Sequence, residues 1–255
     1  MEAHHLPLAD LMSPARYAKY EAAAQGDAAR AARLYVWNCR LAAAYWPSIS
    51  LVEVAVRNAI DVQLCTHLNV SRDHGWHHDA LSERPRLHLT QKERDKVKKS
   101  IEFFERNQPS TGAEHDLAEP TGGDVVSGLS LGFWVALVGE GVPRGEGRHL
   151  YDYFQRLWRP FLHQAFPLFQ GPAQNKPGPI RGALREFELL RNRIAHHEPI
   201  YMLNHRHHRD NIIAIAGWLN ADLAEYLRHT EQVSDVLADY ARFVRANAAP
   251  LAAVQ

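Results

Sequence analysis

The stretch "IRGALREFELLRNRIAHHEPIY", residues 180–201, decides the fold class. Ile180, Ala183, Leu184, Phe187, Leu190 and Ile194 recur at the three-and-four spacing of one helical face. Pro199 sets the far boundary, because the residue before a proline is pushed out of helical backbone, so the helix is expected over about 180–197. Arg191 falls inside the apolar stripe. A guanidinium cannot discard its charge, so a core-facing arginine demands an acceptor from elsewhere in the chain. Asn192 and His196, four apart, share a different edge, with Glu188 one turn before them.

A second segment, "SISLVEVAVRNAIDVQLCTHL" (48–68), offers that acceptor. It is apolar almost all round, as a buried helix is. The exception is one polar stripe at spacing four, Glu53, Arg57 and Asp61, with Asn58 beside it. Glu53 is the first-choice partner for Arg191 and Asp61 the second.

The remaining chain also reads as helices. Ser13 and Pro14 open one helix; Gly26 breaks it, and Asp27 can cap the next, through residue 46. Pro47 and Ser48 are expected to start a fresh helix. Thr90 with Glu93 has the spacing of a capping box before "QKERDKVKKSIEFFERN". Residues 107–124, rich in Gly, Pro, Ser and Thr, read as a loop. No series of alternating strands and no fixed-period repeat is present. The expectation is one all-α domain over 1–255, with a peripheral, loop-rich insertion at about 69–123.

Composition narrows the function classes. The chain has 255 residues, 46% of them hydrophobic, enough for a real core. Lys plus Arg and Asp plus Glu are both 29, giving zero formal net charge. That excludes a general polyanion coat, so any nucleic-acid contact must be a local patch. Cys39 and Cys65 sit in apolar helical stretches and read as thiols of a reduced, cytoplasmic protein. The longest apolar run, 129–138, is too short for a bilayer. The N-terminus lacks the basic and apolar regions of a secretory signal.

Arginine followed by histidine with four to six residues between them is not specific by itself, since Arg72–His77, Arg144–His149 and Arg156–His163 fit it too. Context distinguishes Arg191, Asn192 and His196: a core-facing arginine, an adjacent asparagine and a histidine at a helix end. The "RN" at 57–58 carries Val62 at the histidine position and is not a second copy. The blocks "RLYVWNCRLAAAYWPSISLVEVAVRNAI", "GLSLGFWVALV", "LWRPFLHQAFP" and "LRNRIAHHEPIY" occur in the order seen in Abi-like (abortive-infection) proteins, and the chain resembles that family of the HEPN superfamily. The resemblance covers about 30–240, interrupted at 69–123. The family's Arg–Asn–x–x–x–His signature matches Arg191, Asn192 and His196, and its acidic residue on an earlier helix matches Glu53.

The resemblance implies a HEPN-like helical bundle with additional peripheral helices. It also implies metal-independent RNA cleavage without a cofactor, a homodimer, and a role in antiphage defence or as a toxin, with an RNA or protein antitoxin as a further partner. The residue types suit that chemistry: His196 as proton acceptor or donor and Arg191 as a forked clamp on phosphate. Asn192 is a candidate to orient His196 or to bind a phosphate oxygen. Arg57, Asn58, His197 and Glu198 are supporting candidates, and Arg193, His205, Arg206 and Arg209 are candidates to hold the RNA backbone. The competing reading is scaffolding: a Glu–Arg pair between buried helices and an asparagine that caps backbone groups, in a non-catalytic RNA- or protein-binding module. A metal site is disfavoured, because "HRHHR" sets its histidines between cations and no H-E-x-x-H occurs. His205, His207 and His208 read as a solvated loop, as does "HGWHHD" (74–79). "KERDKVKK" (92–99) reads as a solvated helix face, with RNA contact as its alternative.

Overall fold

A computed structural model describes residues 7–107, 119–142 and 150–246, with side chains described through Tyr240. The core of the proposed loop, 108–118, and the Arg144–His149 pair lie outside the described residues. The fold is all-α. Its helices are α1 Leu8–Leu11, α2 Pro14–Ala23, α3 Ala28–Leu68, α4 His77–Leu81, α5 Gln91–Arg106, α6 Gly122–Gly128, α7 Leu131–Leu137, α8 Gly178–Ala195, α9 His205–Leu219, α10 Ala221–Thr230 and α11 Val233–Ala246. A π turn at Phe154–Trp158 and a 3-10 turn at Leu162–Ala165 stand where continuous helix looked plausible. The only extended pairing among the described residues is a single Gly141–Asp152 bridge.

The two helices expected on either side of Pro47 are one 41-residue helix, α3. Proline removes an N–H and leaves the carbonyl four residues back without its donor. Here Ala43, Trp46 and Pro47 are all exposed, so water can satisfy that carbonyl and the helix continues. The Asp27 cap is present, its Oδ1 accepting from Arg30 N at 2.9 Å.

The chain divides into two compact units. The first comprises Met1–Leu51, Leu189–Ile213 and Glu225–Gln255; the second comprises Val52–Glu188 and Ala214–Ala224. In the second, Asp61 is a buried carboxylate at 2% exposure. It accepts from Arg72 Nε at 2.7 Å, Trp76 Nε1 at 3.0 Å and Cys65 Sγ at 3.8 Å. Both oxygens are engaged, so Asp61 serves as the anchor of the 69–76 segment and is no longer a candidate acceptor for Arg191. Trp76, Leu87, Leu89 and Val97 are buried, so the described part of the expected insertion contributes side chains to this unit's core while most of its residues are exposed or half-buried.

Close backbone approach holds that segment. Gly122 N donates to Asp73 O at 2.7 Å, and a Cβ on Gly122 would sit 2.0 Å from Arg72 O. Thr121, next to it, forms a reciprocal capping box with Asp124. The box expected at Thr90 is different. Thr90 Oγ1 bonds the Glu93 carboxylate directly, and Thr90 N–H goes to Tyr153 Oη at 2.8 Å. A long-range phenol has taken the donor that the local motif would have used.

Candidate functional site

Ile180, Leu184, Phe187, Leu190 and Ile194 are all buried, and Ala183, the sixth apolar member of the stripe read from α8, is half-buried at its edge. Arg191 and Asn192 are half-buried, and Arg193, His196, His197 and Glu198 are exposed. Glu188, one turn earlier, accepts from Arg185 Nη1 at 3.0 Å.

The end of α8 is a Schellman turn. Glu198 N donates to Arg193 O at 2.8 Å and His197 N to Ile194 O at 3.1 Å. His197 occupies the left-handed position, with φ +54°. Histidine tolerates that region poorly compared with glycine. His197→Gly should therefore hold stability or raise it by up to about 1 kcal/mol, read as a urea midpoint. A clear loss would show that the imidazole makes contacts of its own. Combined with an RNA assay, the same variant separates the backbone role of His197 from any side-chain role.

Other elements of the first unit fix the site. His196 N donates to Asn192 O at 2.9 Å, and Arg16 Nη2 donates to His196 O at 3.1 Å. A cation at a helix C-terminus is also favoured by the helix dipole. Beyond Pro199, the buried Asn38 accepts from Ile200 N at 2.8 Å and from Tyr201 N at 3.1 Å through one oxygen. Tyr201 Oη donates to Lys19 O at 2.9 Å. His196 thus has its backbone held on both sides while its ring faces solvent.

Arg16 and Asn38 were not among the sequence candidates. A polar residue inside the apolar run "LYVWNCRL" was the available signal for Asn38. Nothing local marks Arg16, whose contact spans 180 residues.

Several candidates belong elsewhere. His205, His207 and His208 lie in the first turn of α9 rather than in a solvated loop, and Asn204 Oδ1 caps that helix through His207 N at 3.0 Å. His205 is only 3% exposed, with Nδ1 3.0 Å from Tyr45 Oη, and it offers no surface to a phosphate. Burial, then repulsion from His208, pushes its pKa down to about 4. Arg209 bonds Asp210 at 2.8 Å and Ser234 at 2.7 Å, with Glu231 at 3.9 Å, so it is committed within the chain. Arg193 and Arg206 remain exposed.

On α3, Asn58 Oδ1 accepts from Arg72 Nη2 at 3.3 Å and so belongs to the Asp61 anchor. Arg57 is half-buried, with its Nε buried and without a hydrogen-bond partner among the described residues. Glu53 is half-buried and falls in the second unit, whereas Arg191 falls in the first. "HGWHHD" is not all solvent-exposed: His77 is 2% exposed, and burial, then repulsion from His78 and His74, lowers its pKa to about 4. Among the described residues no group of three or more His, Cys, Asp or Glu is placed to hold a metal, and no helix is long and apolar enough to cross a membrane.

The fold defines the class as an all-α protein that presents an arginine–asparagine–histidine set at an anchored helix end. Comparison with protein-family models, with curated proteins and with solved structures finds no match.

Proposed function

We propose that the chain is a metal-independent endoribonuclease of the HEPN type, acting in the prokaryotic cytoplasm in antiphage defence or as a toxin. The observation that carries this reading is the presentation of exposed His196 and half-buried Arg191 on one helix end whose backbone is bonded from both sides. A general acid or base must be positioned and within reach of the substrate's proton; the anchored backbone supports the first and the exposed ring the second. RNA brings its own nucleophile. His196 takes the proton of the 2′-hydroxyl as that oxygen attacks the adjacent phosphorus. The bond to the 5′-oxygen breaks, leaving a 2′,3′-cyclic phosphate and a 5′-hydroxyl. Arg191 neutralises the charge that builds on the phosphoryl oxygens. In this reading Asn192 orients the phosphate or the imidazole.

One chain supplies a single set of these groups, while cleavage needs both a proton acceptor and a proton donor. A two-fold homodimer would supply both from one sequence. Mixing His196→Ala protein with wild type and allowing exchange reads this. Cleavage strictly proportional to the wild-type chain, with a monomer mass in solution, would rule the shared site out.

The test of the activity is incubation of single-stranded RNA with the protein in EDTA. The expected products end in 2′,3′-cyclic phosphates. RNA that stays intact, yet is retained through purification, would replace this reading with a non-catalytic RNA-binding module.

A further inference from the structure

We propose that one flank of α5 is a docking strip for single-stranded RNA, with lysines tracking the phosphates and Phe103 stacking on a base. At 100° per residue, Lys92, Lys96, Lys99 and Phe103 fall at i, i+4, i+7 and i+11, one stripe along the helix. Lys92 and Lys99 are exposed and Lys96 half-buried. Phe103 is 64% exposed, unusual for a ring that could have joined a core. With a rise of about 1.5 Å per residue, the stripe runs on the order of 16 Å, room for a short run of nucleotides.

The local charge is positive, most strongly at the start of the helix. Gln91–Arg106 carries six cations (Lys92, Arg94, Lys96, Lys98, Lys99, Arg106) against four acids (Glu93, Asp95, Glu102, Glu105) in a chain of zero net charge, and five of the cations but only two of the acids lie in Gln91–Ser100. Three of the acids are occupied, Glu102 by Arg106 Nη2 at 3.2 Å. Glu93 is 4% exposed and accepts from Thr90 and from Tyr153 Oη, while Asp95 accepts from Gln91 Nε2 at 2.7 Å. Lys96 Nζ lies 3.9 Å from Glu93, which tempers its charge but does not bury it. Crowding cations into the first turns of a helix opposes the macrodipole and costs stability. A polyanion on that face offsets the cost. Alternating cations and a bare aromatic ring suit a single strand, whose phosphates and base faces are both accessible.

An anionic membrane is the rival partner. Val97 and Ser100 on the inner face are already buried, so α5 has no apolar face left to immerse, and one phenylalanine does not replace it.

The inference rests on RNA being the substrate of the His196 site, and the experiment keeps the two apart. A fluorescent 2′-O-methyl strand of mixed sequence lacks the nucleophile, so it reports binding without cleavage. It is titrated into the full chain at several salt concentrations. The expected result is that Lys92→Gln with Lys99→Gln weakens binding on the order of tenfold and reduces the slope of log K against log salt by about 1.4. Phe103→Ala should weaken binding by a similar factor, and Phe103→Trp should retain it. These positions are exposed, so circular dichroism should be unchanged and the melting temperature unchanged or slightly raised, since Lys92 sits unfavourably in the first turn.

Unaltered affinity and salt slope in both variants overturns the proposal, as does a wild type that does not bind the strand. Phosphatidylserine vesicles bound by wild type and released by the same variants, with strand binding unaffected, also overturn it. Variant-sensitive binding by a protein that leaves ordinary RNA uncut supports the strip and removes the nuclease reading. Cleavage with unchanged KM in the lysine variants removes the strip alone.

Discussion

His196→Ala is expected to lower RNA cleavage by about 10²–10⁴-fold, the range for loss of a general acid or base, without altering thermal stability. The side chain is exposed, so its truncation opens no cavity. The bonds that fix residue 196 run through its backbone N–H and carbonyl, and alanine keeps both. Arg191→Gln should also reduce cleavage, with a cost in stability of its own because the side chain is half-buried. Full cleavage by folded His196→Ala protein would eliminate this histidine as acid or base. Collapse of the fold would instead assign it to the scaffold.

Stability should fall steeply between pH 6.5 and 4, ahead of ordinary carboxylate titration. His77 and His205 are buried and neutral, each with a pKa lowered from 6.5 to about 4. The unfolded chain binds protons at these sites below pH 6.5, while the folded chain refuses them until about pH 4. Their contribution is therefore complete above 6.5 and is lost as pH falls, on the order of 2 kcal/mol each by pH 5. Urea unfolding at closely spaced pH values should show about 2 extra protons taken up on unfolding near pH 5.5. His77→Leu and His205→Phe should each flatten the curve by about one proton. A stability that does not change from pH 7.5 to 5 would show that these imidazoles are not held neutral.

Local pattern made the helical class and the α8 stripe legible, because burial follows the 3.6-residue period wherever apolar side chains recur with it. Ile180, Leu184, Phe187, Leu190 and Ile194 needed no tertiary information. The Asp27 cap was equally local. Pro47 misled because proline's effect depends on whether the orphaned carbonyl can reach water, and here Ala43 and Pro47 lie on an exposed part of the helix.

Pairing between distant residues was not legible. Asp61 looked like a partner for Arg191, yet its lone pairs went to Arg72 and Trp76, which the chain returns to the same spot. His205 and Arg209 looked like candidates to hold an RNA backbone, but a capped helix start turns one inward toward Tyr45 and ties the other to Asp210 and Ser234. The sequence by itself determined an all-α chain and a polar triad, Arg191, Asn192 and His196, at a helix end, since both follow from periodicity and local termination signals. Only the tertiary structure decided which groups hold that end, through Arg16 and Asn38, and which polar side chains stay in water. Those outcomes depend on desolvation and on contacts 160 or more residues apart, which no local window contains.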